Sequence, residues 1–273
     1  MKEKGKTLVF SHFRGRIHPD YYNSSFIQAV SNPKSLFQSP ACRLLFEGRN
    51  RVWLIKVPLS REKSVDIVIK EFRIQGIDRL KSIFFASKAS KAWKGSNALV
   101  DKGIGTPSPV AYIERRNSHL IEESYFLSEM EHGTEEIRFL FPNLLPDELR
   151  RLLESLAEFM YFCHKKGILH RDLSDGNILV RKEEAGHYGF FLIDTNRIHV
   201  KSKIFILSRI KNLIRLGIPY DCQRFFLERY LNVPHVNNFL WLWYRINKGT
   251  YAMWIRIKKS LRLRYLARKL KIQ

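Results

Sequence analysis

The run GILHRDLSDGNILV, Gly167–Val180, is apolar at both ends and interrupted by Arg171, Asp172, Asp175 and Asn177. Two readings fit that pattern. In a surface connection, Asp and Asn serve as turn and cap residues, their ordinary use. In a catalytic loop, one carboxylate (Asp172) and one amide (Asn177) are held a fixed distance apart. Ile168, Leu169, Leu173, Ile178 and Leu179 then seat the loop on a core. The elements on either side must decide between the two.

Those elements have a definite order. RLLFEGRNRVWLIKV, after Cys42, predicts strand, turn and strand, with the turn at Gly48–Asn50. SVDIVIKEF alternates and is rich in Val and Ile, predicting a third strand. Ser87–Gly103 has helical spacing through Ala89, Trp93, Ala98 and Leu99, with Gly103 as its stop. TPSPVAYIERR and SYFLSEM predict two more strands. From Pro146 the character changes: Leu149, Leu152, Leu153, Leu156 and Met160 recur at helical spacing up to Gly167. Pro146 and Asp147 suit the first turn of that helix. NILV and FFLID, separated by the polar turn RKEEAGHYG, predict a short hairpin. Helices are expected from about Lys203 onward. The loop therefore lies directly after a long helix and directly before a hairpin.

Composition bounds the partners. With 273 residues, 45% hydrophobic, the chain is long enough to bury a core. Its net charge of +22 attracts polyanions: nucleic acid, anionic head groups or phosphorylated glycans. Cys42, Cys163 and Cys222 show no paired spacing and read as small reduced thiols. The N-terminus lacks the apolar core of a signal peptide, and no apolar run reaches 18 residues. Membrane contact is therefore expected to be peripheral. After Met253 come eight Lys/Arg and no acid, with Trp254, Ile257, Leu261 and Tyr265 on one helical face. That pattern suits a basic amphipathic helix on an anionic membrane, or a last packed helix in which Leu263, Leu266 and Leu270 also find partners. Eight histidines (residues 12, 18, 119, 132, 164, 187, 199 and 235) show no metal-ligand spacing and are expected at the surface or in the core.

The element order together with His170–Asn177 resembles the protein-kinase-like fold, whose catalytic loop reads H-R-D-L-x-x-x-N. LIDTNR places Asp194 where that superfamily carries its metal-binding Asp, and VDIVIKEF places Lys70 on the third strand, as V-A-I-K requires. The resemblance implies an α+β, bilobal fold: an N-terminal extension (1–41), a strand-rich N-lobe (42–131) and a helical C-lobe (132–273) ending in the basic helix. It implies ATP and Mg2+ as cofactors. Asp172, Lys70 and Asn177 are then catalytic, Lys70, Gly48 and Glu129 bind nucleotide, and Asn177 and Asp194 bind the metal. His170 and Arg171 become supports of the loop. Asp175 is expected to be exposed.

Departures narrow the class. FEGRNRVW has a single glycine where the phosphate-covering loop is glycine-rich, DTN replaces Asp-Phe-Gly, and no Ala-Pro-Glu segment follows. The helix Ser87–Gly103 contains no glutamate to pair with Lys70, leaving Glu71 or a residue outside that helix. Over Phe46–Leu216 the chain resembles the lipopolysaccharide kinases that phosphorylate Kdo or heptose. The similarity includes SKASKAWKGSNALVDKGIGTPSPVAYIE as well as the catalytic loop. This implies a bacterial cytoplasmic enzyme, peripheral on the inner membrane, with the lipopolysaccharide core glycolipid as partner and no nucleic acid expected. The alternatives are an atypical RIO-like protein- or RNA-associated kinase, and a pseudokinase binding module.

Overall fold

The computed structural model describes residues 5–10, 12–59, 64–74, 83–117 and 119–269, with only the backbone described at 185 and 262–269. The chain is α+β and divides into two units. One comprises Met1–Thr134 with Gly189–His199, the other Glu135–Tyr188 with Val200–Gln273.

The first unit is a seven-stranded antiparallel sheet in the order β1-β2-β6-β7-β5-β4-β3. The strands are β1 (Lys6–Phe10), β2 (Phe13–Ile17), β3 (Cys42–Glu47), β4 (Arg51–Pro58), β5 (Ser64–Glu71), β6 (Pro109–Asn117) and β7 (Leu120–Glu129). The β3–β4 turn falls at residues 48–50, where Gly48 was expected to close it. Period-2 alternation gives the sheet two apolar faces. Ile55, Ile67, Ile69, Ile113 and Tyr125 face a core shared with Phe26 and Val30 of helix α1 (Ser24–Val30). A short helix α2 (Pro33–Phe37) follows and adds Phe37, stacked on Trp53 at 4.6 Å. On the opposite face Phe126, Phe72 and Tyr112 pack on Ala89, Ala92 and Trp93 of helix α3 (Lys88–Asp101).

Within the stretch set apart in the sequence as an extension (1–41), β1 and β2 belong to this sheet. β2 pairs with β6 from Phe13↔Arg115 to Ile17↔Ala111, and β1 pairs with β2. Their short alternation between polar residues gave little signal of that pairing. The segment Gly189–His199 also groups with this unit, because its turn docks on α3 as described below.

Helix α3 is delimited as its sequence requires. Ser87 Oγ accepts from the Ser90 amide at 2.8 Å, a standard N-cap. At the other end Gly103 sits at φ +67°, its amide donating to Val100 O and the Ile104 amide to Leu99 O. That pattern is the Schellman stop.

The second unit is helical. Helix α4 (Ile137–Leu140) is short and α5 (Pro146–Lys165) is the long helix expected after Pro146. It buries Leu152, Leu153, Leu156, Ala157, Met160, Cys163 and His164 on one stripe. Strand β8 (Glu135–Glu136) precedes α4, and β9 (Ile168–His170) leads into the 171–177 loop. β10 (Ile178–Lys182) follows that loop and pairs antiparallel with β8 through Leu179↔Glu136. The strand β11 (Tyr188–Leu192) leads back to the first unit. Three helices close the chain: α6 (Ile206–Leu213), α7 (Gln223–Leu231) and α8 (Asn238–Lys269).

One histidine of the expected group is a core residue. His164 is 1% exposed, with Nδ1 2.7 Å from Tyr230 Oη and Nε2 3.1 Å from Asn212 Oδ1. Asn212 Nδ2 donates to His170 O, so its Oδ1 must accept, which puts the His164 proton on Nε2. Burial holds the imidazole neutral, pushing its pKa from 6.5 down to about 4, with Arg209 opposing the charged form as well. In the unfolded chain the same ring takes a proton near its ordinary pKa. Between those two values the unfolded state binds more protons, so stability falls as pH drops through 6.5 and the loss is complete below about 4. The expected loss is on the order of 3 kcal/mol. Urea midpoints measured from pH 7 to pH 4.5 should fall more steeply in wild type than in His164→Gln, which lacks this titration.

Candidate active site

In the first unit the structure brings Lys70 and Asp194 together. Lys70 lies mid-sheet on β5, opposite Val52 on one side and Phe126 on the other. Its Nζ donates to Asp194 Oδ1 in an ion pair whose side chains are 23% and 20% exposed. The Phe72 ring lies 5.4 Å from the same amine. Asp194 is therefore the carboxylate partner that α3 does not supply. Glu71, the neighbouring candidate, points to the other face, as consecutive strand residues must. There it accepts from Trp53 Nε1 at 3.5 Å and lies 4.0 Å from Arg51.

Asp194 has left-handed backbone, φ 56° and ψ 43°. For a residue other than glycine this conformation is uncommon and marks an imposed geometry. The imposing contacts come from α3 and the DTN turn. Thr195 Oγ1 donates to Ala92 O at 3.0 Å and meets Ser96 Oγ at 2.8 Å, both buried. The Asn196 amide is satisfied with its nitrogen towards Asp194, donating to Oδ1 at 2.7 Å and to the backbone O at 3.2 Å. Gly95 allows the approach: a Cβ there would lie 2.1 Å from Thr195 O. Helix and turn thus pack closely, with Gly95 leaving the room that the Thr195 carbonyl occupies.

In the second unit the loop is shaped around Asp172. His170 is 1% exposed and its Nδ1 accepts from the Asp172 amide at 3.1 Å. Asn177 Nδ2 donates to Asp172 O at 2.7 Å, which leaves its Oδ1 to accept from or ligate another group. Asp172 Oδ1 itself pairs with Arg215, on the connection after α6. Asp175, expected to be exposed, is only half-buried surface: its Oδ1 accepts from the Gly217 amide at 2.7 Å, and burial raises its pKa. The desolvated carboxylate is tolerated because that amide and nearby cations face it.

The two nucleotide candidates beside Lys70 are placed as follows. Gly48 sits in the β3–β4 turn, its amide donating to Asn50 O and its carbonyl accepting from Arg73 Nη1 at 3.3 Å. Glu129 ends β7; its amide donates to Ser108 O and its carboxylate accepts from the Tyr21 hydroxyl, whose pKa burial and that carboxylate push up. Sequence reasoning missed Arg215, Asn212, Thr195 and Gly95. Thr195 lies in the DTN triplet and Gly95 in the stretch that forms α3, while Arg215 and Asn212 lie in no recognisable motif; all four act through contacts made by distant chain segments. Among the described residues no cluster of three or more His, Cys, Asp or Glu is placed to hold a metal. A magnesium site of the phosphotransfer kind needs fewer, since phosphates and water complete it.

Comparison with known proteins bears on this arrangement. The model of the lipopolysaccharide kinase (Kdo/WaaP) family matches residues 78–218. The chain belongs to that family. Among solved structures, one titled "WaaP in complex with acyl carrier protein" is similar over 84% of this chain and 91% of its own, with 20% identity and a TM-score of 0.53. That likeness establishes the kinase-like fold. Short stretches also resemble serine/threonine-protein kinase pim-2 of Danio rerio (58% identical over 31 residues) and sperm motility kinase 2B of Mus musculus (48% over 40 residues). These stretches cover 11% and 15% of this chain and 10% and 8% of those relatives.

The tight helix–turn contact yields a sign test. At an open helical position Gly→Ala stabilises by about 1 kcal/mol. At Gly95 the added methyl meets a backbone carbonyl, and overpacking should reverse the sign, costing roughly 1–3 kcal/mol. Thermal unfolding of Gly95→Ala should show a lowered midpoint; an unchanged or raised one contradicts the packing described.

Proposed function

We propose that the chain is an ATP-dependent phosphotransferase acting on a sugar hydroxyl, of Kdo or heptose, in the lipopolysaccharide inner core. The observation that carries this reading is the presence of both residue sets in a member of this family: the Lys70–Asp194 pair and the Asp172–Asn177 loop. Phosphoryl transfer asks a protein mainly for positioning and charge neutralisation. Asp172 orients the acceptor hydroxyl and takes its proton as the oxygen bonds to the γ-phosphorus and the bond to ADP breaks. Lys70 places a point charge at the nucleotide phosphates, with Gly48 and Glu129 at the same substrate. The metal donors, one carboxylate (Asp194) and one amide oxygen (Asn177), are hard oxygens of the kind magnesium prefers. When bound, that ion neutralises phosphate charge. The glutamate missing from α3 gives no support to a binding-module reading, because Lys70 has a carboxylate partner.

The same reading places the enzyme peripherally on the anionic inner membrane of a bacterium. Among the described residues no helix is long and apolar enough to cross a membrane. Beyond Tyr251, every residue of α8 to Leu261 is exposed. Trp254, Ile257 and Leu261 stand at 54%, 50% and 59% exposure beside Arg256, Lys258 and Lys259. A helix that is basic and apolar without protein packing suits an interface with anionic head groups. The Tyr265 side chain, expected on the same stripe, lies outside the described residues, as do the side chains of Leu263 and Leu266 and the whole of Leu270.

The test is incubation with ATP-magnesium and core glycolipid, intact in anionic vesicles or delipidated, with phosphate incorporation read by mass. Wild type should add one phosphate group, faster on the vesicle-borne acceptor. Asp172→Ala should lose about 10²–10⁴ of the rate while still binding nucleotide, the usual contribution of a positioned base. Transfer undiminished in Asp172→Ala contradicts the mechanism, and equal rates on both acceptors contradict the membrane placement.

A further inference from the structure

The second unit contains a chain of contacts that begins on the last helix and ends on Asp172. Arg215 is its centre. One guanidinium nitrogen, Nη2, pairs with Asp172 Oδ1, and the other, Nη1, donates to Arg171 O at 3.3 Å. The fork therefore holds both the side chain of Asp172 and the backbone before it. A planar guanidinium fixes such a pair in direction as well as in charge. The opposite side of Arg215 rests on α8, its cationic carbon 5.3 Å from the centre of the Tyr251 ring. Within the guanidinium, Nε is buried and finds no hydrogen-bond partner among the described residues, so Arg215 is held at its nitrogen tips and by the ring.

The backbone carrying Arg215 is gripped from the same helix. Lys248 Nζ donates to Ile214 O at 3.1 Å and to Leu216 O at 2.7 Å, the two carbonyls flanking Arg215. Gly217, the next residue, donates its amide to Asp175 Oδ1, and a Cβ there would lie 2.2 Å from Asp175 Oδ2. So residues 214–217 are gripped by α8 at two carbonyls, Ile214 O and Leu216 O, and bind the catalytic loop at Asp172 and Asp175. Trp243 Nε1 donates to Leu207 O and Arg245 Nη1 to Gln223 Oε1, locking the inner part of α8 onto α6 and the start of α7. Burial lowers the Lys248 pKa to about 8, opposed by Asp175 and reinforced by Arg245. An amine buried at such cost is held in place by its partners.

We propose that Arg215 is the positioning residue for Asp172, and that α8, through Tyr251 and Lys248, sets Arg215. Helix α8 is then more than a surface anchor. Tyr251 is its last partly buried residue before the exposed basic stretch. Whatever engages that stretch acts one step from the residue that supports the catalytic carboxylate. The inference rests on the phosphotransferase reading for its kinetic consequence, though its structural core does not.

The experiment uses the full-length chain with ATP-magnesium and core glycolipid, and follows kcat, KM and amide hydrogen exchange of residues 170–177. Arg215→Ala should lower kcat by on the order of 10²-fold, the effect of a misplaced group, with KM for ATP little changed. Arg215→Lys keeps the charge without the fork and should recover only part of kcat. Tyr251→Ala should lower kcat roughly fivefold, and Tyr251→Phe, which keeps the ring, should restore it. In each defective variant exchange in the loop should rise. Unchanged kcat in Arg215→Ala, or loss confined to KM for ATP, overturns the proposal. If wild type itself transfers no phosphate, the functional reading fails, and exchange in Arg215→Ala still decides the positioning claim: a loop no more exchangeable than in wild type overturns it.

Discussion

The ion pair between Lys70 and Asp194 joins residues 124 positions apart, and much of the first unit exists to make it. An amine in mid-sheet is costly to bury unless a carboxylate meets it. Asp194 meets it only because its backbone is left-handed and its turn is pinned on α3 by Thr195 and Ser96. The same requirement explains why α3 carries Gly95 and small polar residues where a larger residue would prop the turn away. The sheet supplies the other half of the constraint: β5 lies between β4 and β7, so Lys70 has little freedom to retreat.

The second unit solves a different problem, holding a carboxylate still while leaving it accessible. Asp172 remains about one-third exposed, and its support comes from around it. His170 takes its amide, Asn177 its carbonyl, and Arg215 one carboxylate oxygen. Behind these stands the buried relay from Tyr230 through His164 and Asn212 to His170 O. Loop rigidity and stability are therefore coupled in this unit: the relay behind the loop runs through α5, α6 and α7, with His164 and Tyr230 in the core.

The sequence made the framework legible where periodicity was long or motifs dense. The strands β3–β7, helices α3 and α5 and the position of the 171–177 loop all follow from alternation, helical spacing and the HRDLSDGN run. β1 and β2 were not legible, since five-residue strands with mixed polarity leave little pattern. The partner of Lys70 was left open for a physical reason: a contact across 124 residues has no local trace. Asp175 was misjudged as exposed because its partner is a backbone amide, Gly217, which no side-chain pattern reveals. Arg215 looked like one basic residue among 48 until the fold placed it on Asp172.

The central claim is the proposal that Lys70 and Asp194 bind nucleotide and metal and are not merely a structural salt bridge. Calorimetric titration with a non-hydrolysable ATP analogue, with and without magnesium, addresses it directly. The account predicts magnesium-dependent binding in wild type, with Asp194→Asn losing about tenfold in the presence of magnesium, or about 1.4 kcal/mol, and little without it. Equal affinity with and without magnesium in wild type, or an Asp194→Asn variant that keeps the full magnesium effect, contradicts it.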